Sequence, residues 1–317
     1  MLICSKSLIR LVKNQLKIVK FSSKMSDKRS EWLERAKRIV PELNDQRHKG
    51  QCGRIGVFGG SSEYTGAPYF AAISALKTGA DLVHIFCPQS AATVIKSYSP
   101  ELIVHPVLNS SHALAQIEPW LERLHVCIIG PGLGRDRSIL QTVTDLIKIC
   151  RQLEKPLIID ADGLFLLTQD ISLVKDYRGL ILTPNAIEFS RLFGNIDDKL
   201  VATMETLGQG VTVLEKGPQD RIYDTNLNFR IECPNGGSGR RCGGQGDILC
   251  GVLATFYNWA IEVQETSPAV IACYAASVFT KACNKYAFQQ KGRSMTASDM
   301  IEQIHSVFED EFEHKSH

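Results

Sequence analysis

Glycines crowd around a single carboxylate late in the chain, just ahead of an apolar run. The stretch "RRCGGQGDILCGVLATF" spans residues 240–256 and places Asp247 directly after Gly246. Glycine loses more conformational freedom on folding than other residues, so such a cluster needs a reason. At a helix N terminus, bare backbone N–H groups and the helix dipole bind anions. The pattern predicts phosphoryl transfer, with Asp247 taking a proton from a hydroxyl while the amides of Gly243, Gly244 and Gly246 hold the phosphoryl group.

Lys216 is a second candidate for phosphate binding. It directly follows the apolar run 211–215, and Gly217 opens a turn after it. A lysine there can reach a phosphate as a point charge, and Arg240 and Arg241 can add charge nearby. The alternative is a solvated lysine at a strand end, which is the commoner case.

Asn185 and Glu188 lie three residues apart in "LTPNAIEFSRL", on one face of a helix that starts there. Magnesium prefers oxygen ligands and keeps its waters, so the pair could hold metal-bound water near phosphates. The alternative is that Asn185 only caps the helix and Glu188 is exposed.

Two more glycine turns follow predicted strands, in "GVFGGSSEYTGAP" (56–68) and "IIGPGLGRD" (128–136). Gly132 and Gly134 in the second turn would let the backbone approach a ligand closely. Tight turns without a ligand explain the spacing equally well, and neither stretch is a dinucleotide fingerprint. Two such turns at strand ends favour one shared crevice.

Strand-like and helix-like stretches alternate from residue 54 onward, and these elements must position the residues above. The strand-like runs are short and apolar, and after residues 54–60 they span 82–87, 102–107, 126–130, 156–160, 180–184 and 211–215. Such strands separated by helices predict an α/β fold with three layers, α/β/α, around a central, mostly parallel sheet.

Residues 220–233 break the alternation, because two alternating runs flank "TNLN" and predict a β-hairpin. The chain after Asp247 is helical in pattern nearly to its end. We find no internal repeat or linker in the sequence. We therefore expect a helical lead-in over 25–47, one catalytic domain over 48–312 and a tail over 313–317.

Composition argues against several classes of protein. A net charge of +2 over 317 residues gives no case for a nucleic-acid partner. No run reaches the roughly 20 apolar residues that a membrane span needs. The ten cysteines include no C-x-x-C pair, and several lie in apolar runs, which predicts reduced, buried thiols. A Walker A sequence and a G-x-S-x-G elbow are also missing from the sequence.

Residues 1–24 contain six lysines or arginines, and no acidic residue appears before Asp27. Apolar residues recur between the basic ones at helical spacing, which is typical of a mitochondrial presequence. The alternative is a frayed basic tail. Met25 could also start a shorter cytosolic form.

The motifs together resemble the ribokinase-like superfamily and, within it, the NAD(P)H-hydrate dehydratases. The resemblance covers about residues 48–312 and rests on "GRIGVFGGSSEYTGAP", "SPELIVHP", "GPGLGRD", "DADGL", "LTPNAIEFSRL", "LEKGPQD" and "NGGSGRRCGGQGDILCG". The G-x-G-D motif of the superfamily matches residues 244–247, and its Asn-x-x-Glu motif matches Asn185 and Glu188. Bacterial relatives usually carry a small residue where Gln245 stands, so the chain looks like the eukaryotic, ATP-using branch.

The resemblance implies a repair reaction. The S-form of NADH or NADPH hydrated at C6 would be phosphorylated by ATP and would then lose phosphate. Asp247 would be the base. Hydrated dinucleotide would be bound by Gly132, Gly134, Asn185, Ala186, Ile187, Glu188, Phe189, Ser190, Arg191 and Asp247. ATP would be bound by Lys216, Gly217, Pro218, Gln219, Asp220, Gly237, Ser238, Gly239, Arg240, Arg241, Cys242, Gly243, Gly244, Gln245 and Gly246. Mg²⁺ would be placed indirectly by Asn185 and Glu188, and a hydrate epimerase would be the functional partner.

Two alternatives stay open on the sequence. A kinase of the same superfamily that acts on a small hydroxymethyl compound would show the same base and spacing, but its phosphorylated product would be stable. A non-catalytic nucleotide-binding regulator would tolerate Asp247→Asn, because nucleotide binding does not need the base.

Overall fold

One nine-stranded sheet forms the centre of the molecule. The computed structural model describes residues 25–45, 47–194, 198–227 and 229–313, so the predicted presequence 1–24 lies outside the described residues. The strands are β1 (Arg54–Phe58), β2 (Leu82–Cys87), β3 (Ile103–Pro106), β4 (Val126–Ile129), β5 (Leu157–Ile159), β6 (Leu180–Leu182), β7 (Val211–Glu215), β8 (Arg221–Asp224) and β9 (Phe229–Glu232).

The strands lie in the order β3-β2-β1-β4-β5-β6-β7-β8-β9. Strands β1 to β7 are parallel, with Ile55 opposite Val126 where β1 meets β4. Strands β8 and β9 are antiparallel and form the predicted hairpin, in which Ile222 pairs with Ile231. The strand order reverses between β1 and β4, and in open α/β sheets ligands bind outside the strand ends near such a point.

Helices cover both faces of the sheet, which confirms the predicted three-layer α/β/α fold. They are α1 (Met25–Arg38), α2 (Gly66–Thr78), α3 (Gln89–Tyr98), α4 (Ala113–Leu121), α5 (Arg137–Gln152), α6 (Ala161–Leu167), α7 (Ala186–Phe193), α8 (Lys199–Leu207), α9 (Gln245–Glu262), α10 (Pro268–Lys291), α11 (Ala297–Glu302) and α12 (Ile304–Val307). Short 3₁₀ segments span Ile171–Val174 and Gly292–Ser294, and a π-helical turn spans Phe308–Phe312.

Successive side chains of the parallel strands enter two different cores. In β4, Val126 and Ile128 join the core beneath α2, α9 and α10. Cys127 and Ile129 join the core beneath α4 to α8. Since both faces of these strands are buried, they read as continuous apolar runs rather than alternating ones.

Helix α9 carries the site at its N terminus and is the most deeply enclosed element. Thirteen successive residues, Ile248–Ala260, are buried. A Cβ at Gly251 would lie 2.0 Å from the carbonyl oxygen of Ala71, so glycine is what lets α9 cross α2 closely. An all-round apolar sequence is typical of such a buried helix.

Helix α1 lies within the predicted lead-in 25–47 and packs on α10. Its Trp32 ring lies 6.2 Å from the ring of Phe229 and 6.3 Å from that of Tyr274. Arg35 forms a 2.6 Å ion pair with Glu265. Within the described ranges, none of the helices combines the length and apolarity needed to cross a bilayer.

Candidate active site

The N terminus of α9 is an open array of backbone donors. Gly244 is the N-cap residue, with a left-handed φ of 92°, and no side chain caps the helix. A Cβ at Gly244 would lie 2.7 Å from the Cβ of Ala297 and 2.9 Å from Cδ2 of Phe70. Glycine is thus required at 244 by its backbone conformation and its packing. The uncapped first turn leaves the amides of residues 245 and 246 available to an anion.

Asp247 lies in the first turn of α9 and is partly buried. Burial, helped by the negative charge of Asp160, raises the pKa of its carboxyl to about 7, although Lys216 acts in the opposite direction. Among the described residues, no other residue donates a hydrogen bond to this carboxylate. A base with a pKa near neutrality combines a useful deprotonated fraction with strong proton affinity.

Lys216 and Asp160 form an ion pair beside Asp247. The Nζ–Oδ1 distance is 2.5 Å, and the side chains are 19% and 3% exposed. Asp160 directly follows β5, and Lys216 directly follows β7, where its N–H donates to the carbonyl of Pro184 at 2.8 Å. Burial opposes the charge on Lys216, but Asp160 outweighs it, so the pKa of the lysine is raised. Lys216 therefore stays charged.

A Cβ at Gly246 would lie 3.3 Å from Nζ of Lys216 and 3.7 Å from Oδ2 of Asp160. Gly246 thus brings the first turn of α9 against the ion pair. A larger side chain at position 246 would therefore enter the space beside Nζ of Lys216.

Cys250 contacts the carboxylate of the Lys216–Asp160 ion pair. Its Sγ lies 3.2 Å from Oδ2 of Asp160 and 3.6 Å from Oγ1 of Thr183. Burial raises the pKa of this thiol well above its usual range, with the Asp160 carboxylate adding to the effect. The thiol therefore keeps its proton, and its S–H donates a hydrogen bond to Asp160.

Asn185 caps α7, as one part of the alternative predicted, but Glu188 is half-buried rather than exposed. Its Oδ1 accepts from the N–H of Ile187 at 2.9 Å and of Glu188 at 3.0 Å, and Oε2 of Glu188 accepts from the N–H of Asn185 at 2.8 Å. This capping box satisfies two orphan donors. Burial raises the pKa of Glu188, although Lys216 opposes the shift. Glu188 therefore lies within the electrostatic range of the ion pair.

The predicted substrate segment 185–191 presents only some of its side chains. Ile187 is 65% exposed, and Asn185, Ala186 and Arg191 are also exposed. Phe189 is 1% exposed and packs against Phe193, with ring centroids 4.6 Å apart. The side chain of Phe189 thus belongs to the core, which differs from its predicted contact with substrate.

The predicted ATP loop 216–220 is tied to α10. Asp220 is 4% exposed and accepts from the N–H of Gly217 at 2.8 Å and from Oγ of Ser277 at 2.7 Å. Lys281 lies 3.1 Å from the same carboxylate. The carboxylate of Asp220 is turned inward, so it shapes the loop rather than reaching a nucleotide.

Residues 237–244 form a loop that leads into α9 and is held largely by polar contacts within 237–246. Arg241 donates to the carbonyl of Ser238 at 2.7 Å, and the N–H of Ser238 donates to Asn284 at 2.6 Å. Gln245 donates to the carbonyl of Arg240 at 3.1 Å and contacts Cys242. A Cβ at Gly239 or at Gly243 would meet no described heavy atom within 4 Å. The predicted ATP-binding stretch is therefore preformed and open.

The glycine turns after β1 and β4 are built differently, because they pack on each other. A Cβ at Gly59 would lie 2.2 Å from the carbonyl oxygen of Pro131, and one at Gly132 would lie 2.7 Å from that of Tyr64. Gly134 has a φ of 74°, and its N–H donates to Asp162 at 2.9 Å. The need for glycine here comes from the crossing of the two loops.

Two concavities lie along the same carboxyl edge of the sheet. The larger, about 530 Å³, lies between the loops after β1 and β4 and includes Gly134. The smaller, about 140 Å³, lies between α6 and α7 and includes Glu188 and Arg191. Arg135 lines both, so the two concavities are neighbours along this edge.

Sequence reasoning assigned no role to Asp160, Cys250 or Arg135. The signal for Asp160 was present, because "PLIID" is an apolar strand that ends in a carboxylate, as "VTVLEK" ends in a lysine. The pairing of the two could not be read, since they are 56 residues apart and meet only through strand order.

The profile of the NAD(P)H-hydrate dehydratase family, within the carbohydrate kinases, matches residues 55–306. The chain belongs to this family. The family predicted from the motifs is therefore confirmed, and this NAD(P)H-hydrate dehydratase fold places Asp247, Lys216 and the glycine stretch together.

Relatives and solved structures agree with the family and with the fold. The "ATP-dependent (S)-NAD(P)H-hydrate dehydratase" of Aedes aegypti is 69% identical over 313 residues, covering 98% of this chain and 94% of the relative. An ADP/ATP-dependent NAD(P)H-hydrate dehydratase from Bacillus subtilis, co-crystallized with ATP and Mg²⁺, has a TM-score of 0.66 at 20% identity and covers 89% and 97% of the two chains. A ribokinase-like protein from Enterococcus faecalis has a TM-score of 0.73 at 18% identity and covers 87% and 94%. The latter two confirm the ribokinase-like fold.

Proposed function

We propose that this chain restores NADH and NADPH from the S-form of their hydrates, at the expense of ATP, through Asp247. The observation that carries this is the position of Asp247: a carboxyl with a pKa of about 7 in the uncapped first turn of α9, beside a buried ion pair. The names of the relatives supply the substrate, and the geometry supplies a base and an anion site.

In the first step, the oxygen of the C6 hydroxyl attacks the γ-phosphorus of ATP, and Asp247 takes the proton of that hydroxyl. The bond from that phosphorus to the β–γ bridging oxygen breaks, and ADP leaves. The amides at the start of α9 stabilise the charge on the phosphoryl group. In the second step the C6–O bond breaks, phosphate leaves, and the ring loses a proton from the neighbouring carbon. The dihydropyridine is thereby restored.

Lys216 would contribute a fixed positive charge to the transferring phosphoryl group. Asp160 holds its ammonium in place, and Cys250 in turn fixes Asp160. The loops 216–220 and 237–246 would bind ATP mainly through backbone groups, since Asp220 is turned inward and Gly239 and Gly243 face open space.

The residues present fit an indirect magnesium site. The Oδ1 of Asn185 is engaged by two amides, whereas Glu188 uses only Oε2 in the capping box and keeps Oε1 for a metal-bound water. Mg²⁺ usually binds to few carboxylates and keeps several waters. Glu188 would therefore hold the ion through water, and the ion would supply charge neutralisation for the phosphates of ATP.

The basic segment 1–24 supports import into mitochondria, and a start at Met25 would leave a cytosolic form. If the enzyme accepts one epimer of the hydrate, an epimerase that interconverts the two would be its functional partner.

The decisive experiment uses purified chain without residues 1–24, hydrated NADH, Mg²⁺ and ATP. We expect the absorbance of the reduced nicotinamide to rise only when ATP is present, with ADP and phosphate formed in equal amounts. A stable phosphorylated product without this rise would refute the proposal and favour a kinase of a small hydroxymethyl compound. Full turnover by Asp247→Asn would refute the role of the base.

A further inference from the structure

The two concavities along the carboxyl edge share one lining residue among those described, Arg135. The smaller concavity also includes Glu188, which lies within the electrostatic range of the Lys216–Asp160 pair. The order along the edge is thus the reaction centre, the smaller concavity, Arg135 and the larger concavity.

The guanidinium of Arg135 packs on an aromatic ring and keeps most of its positive charge. It lies 4.1 Å above the ring of Phe165, and its Nε lies 4.0 Å from Oδ1 of Asp162. The other oxygen of Asp162 accepts from the N–H of Gly134 at 2.9 Å. The side chain of Arg135 is 63% exposed, and such a loose, exposed pair removes little of its charge.

The contacts of Arg135 leave its two terminal amino groups without a hydrogen-bond partner among the described residues. A guanidinium that is stacked on a ring and free at its fork is suited to bind phosphate oxygens in pairs. The larger concavity beyond it has a volume typical of small-molecule sites. Hydroxyl and amide side chains line it, including Ser61, Ser90 and Asn109, together with the carboxylates of Glu63 and Asp136, which can accept hydrogen bonds from ribose hydroxyls.

We propose that Arg135 binds the pyrophosphate of the hydrated dinucleotide, so that the adenosine half lies in the larger concavity. This inference rests on the proposed function and deepens it. The hydrated ring then reaches Asp247 from the smaller concavity. Arg135 makes its contact at a distance from the reacting atoms, so it acts in substrate binding and not in the chemical step.

The test compares Arg135→Ala with Arg137→Ala, a matched control, because Arg137 is exposed, basic, two residues away and lines neither concavity. Two substrates are used at saturating ATP: hydrated NADH, and hydrated reduced nicotinamide riboside, which has no phosphate. Steady-state kinetics gives kcat and KM for each, and thermal unfolding shows whether each variant is folded.

We expect Arg135→Ala to raise KM for hydrated NADH by about 10- to 100-fold, the loss expected for a charge-assisted hydrogen-bonded pair. Its kcat, its KM for ATP and its kcat/KM for the riboside hydrate should stay within about threefold of wild type. Arg135→Lys should recover part of the loss, and Arg137→Ala should resemble wild type.

Equal losses on the two substrates would overturn the inference, because they would show that Arg135 acts through Phe165 on the fold of the loop. The same KM for hydrated NADH in both alanine variants would overturn it as well, while the proposed function would stand. No turnover of hydrated NADH by wild type would overturn the proposed function and this inference with it.

Discussion

The glycines after β1 and β4 and those around the N terminus of α9 lie at the same edge of the sheet but have opposite surroundings. A Cβ at Gly130 would lie 1.8 Å from the carbonyl oxygen of Asp160, and one at Gly59 would lie 2.2 Å from that of Pro131. At Gly239 and Gly243 a Cβ would meet nothing within 4 Å, and at Gly246 it would meet only Lys216 and Asp160. In the first region glycine admits the protein's own backbone, whereas in the second it leaves open space, which the proposed function assigns to a ligand.

This contrast teaches that a glycine-rich turn at a strand end is not by itself a ligand site. The atoms that a Cβ at the glycine position would contact show whether glycine is needed for packing or leaves open space. Gly244 shows that the two kinds can be neighbours, since a side chain there would strike Phe70 and Ala297 while Gly243 faces open space. Substitutions in the two regions should therefore separate stability from activity.

The largest effect should come from Asp247→Asn, in the ligand-facing region. We expect kcat to fall by on the order of 10²–10⁴, because the amide cannot accept the proton, while the affinity for ATP stays nearly intact. Rapid-quench and steady-state assays with hydrated NADH measure this. An unchanged kcat would show that Asp247 is not the base, and it would contradict the proposed role of the glycines around the N terminus of α9.

The same variant should also be more stable at neutral pH. The pKa of Asp247 is raised to about 7 in the folded chain, so the charged form costs stability that grows as pH rises from about 4 to 7. Removing the charge should raise Tm at pH 8 relative to wild type and leave Tm little changed at pH 4. A lower Tm at pH 8 would contradict this reasoning.

In the packing region, Gly130→Ala should reduce stability by about 3–5 kcal/mol, the sum of a strained backbone and an overlap with a carbonyl oxygen. Its φ is 122°, which L-residues rarely adopt. Urea unfolding measures the loss. Gly239→Ala is the control, with an expected change below about 1 kcal/mol; similar losses at both positions would erase the distinction between the two regions.

Gly246→Val should lower activity without a matching loss of stability. The new side chain would meet Lys216 and Asp160 where the phosphoryl group passes, and it lies in a helical turn where glycine is itself unfavourable by about 1 kcal/mol relative to alanine. We expect turnover to fall more than tenfold and Tm to stay within a few degrees. Turnover within a few-fold of wild type would place Gly246 among the packing glycines.

The smallest effect, and the sharpest one for the site, is in the pH profile. Because the active form of Asp247 is deprotonated, kcat/KM should rise with pH and reach half its maximum at about pH 7. Asp160→Asn removes a charge that raises this pKa and should move the rise to lower pH. Lys216→Met removes a charge that lowers it and should move the rise to higher pH. If the pH midpoints of the two variants moved in the same direction, the midpoint would not be set by the charges of Asp160 and Lys216 on Asp247.

Much of the fold could be predicted because buried parallel strands leave a clear mark in the sequence. Each of the apolar runs from 54–60 to 211–215 contains a strand, and β8 and β9 form the hairpin predicted at 220–233. The proximity of Asp247 to the amides around it was also predictable, because these residues are neighbours in the sequence and need no long-range contact to come together.

Long-range partners could not be predicted, because they depend on which strands become neighbours. The Lys216–Asp160 pair joins the ends of β7 and β5, which β6 separates, and the sequence does not state that order. The burial of Phe189 and the inward turn of Asp220 have the same cause. Each lies in a stretch whose local pattern suits a ligand loop, whereas contacts from distant elements decide which side of the loop faces inward.

The burial of thirteen successive residues in α9 has a stereochemical consequence. A helix enclosed along 248–260 holds its first turn in place, so in the proposed reaction the carboxylate of Asp247 would meet the substrate from one direction. A hydroxyl on one face of the hydrated ring would then lie within its reach, and the hydroxyl of the opposite epimer would not. Discrimination between the two epimers would thus depend on the hydrophobic core as well as on the residues that contact the substrate.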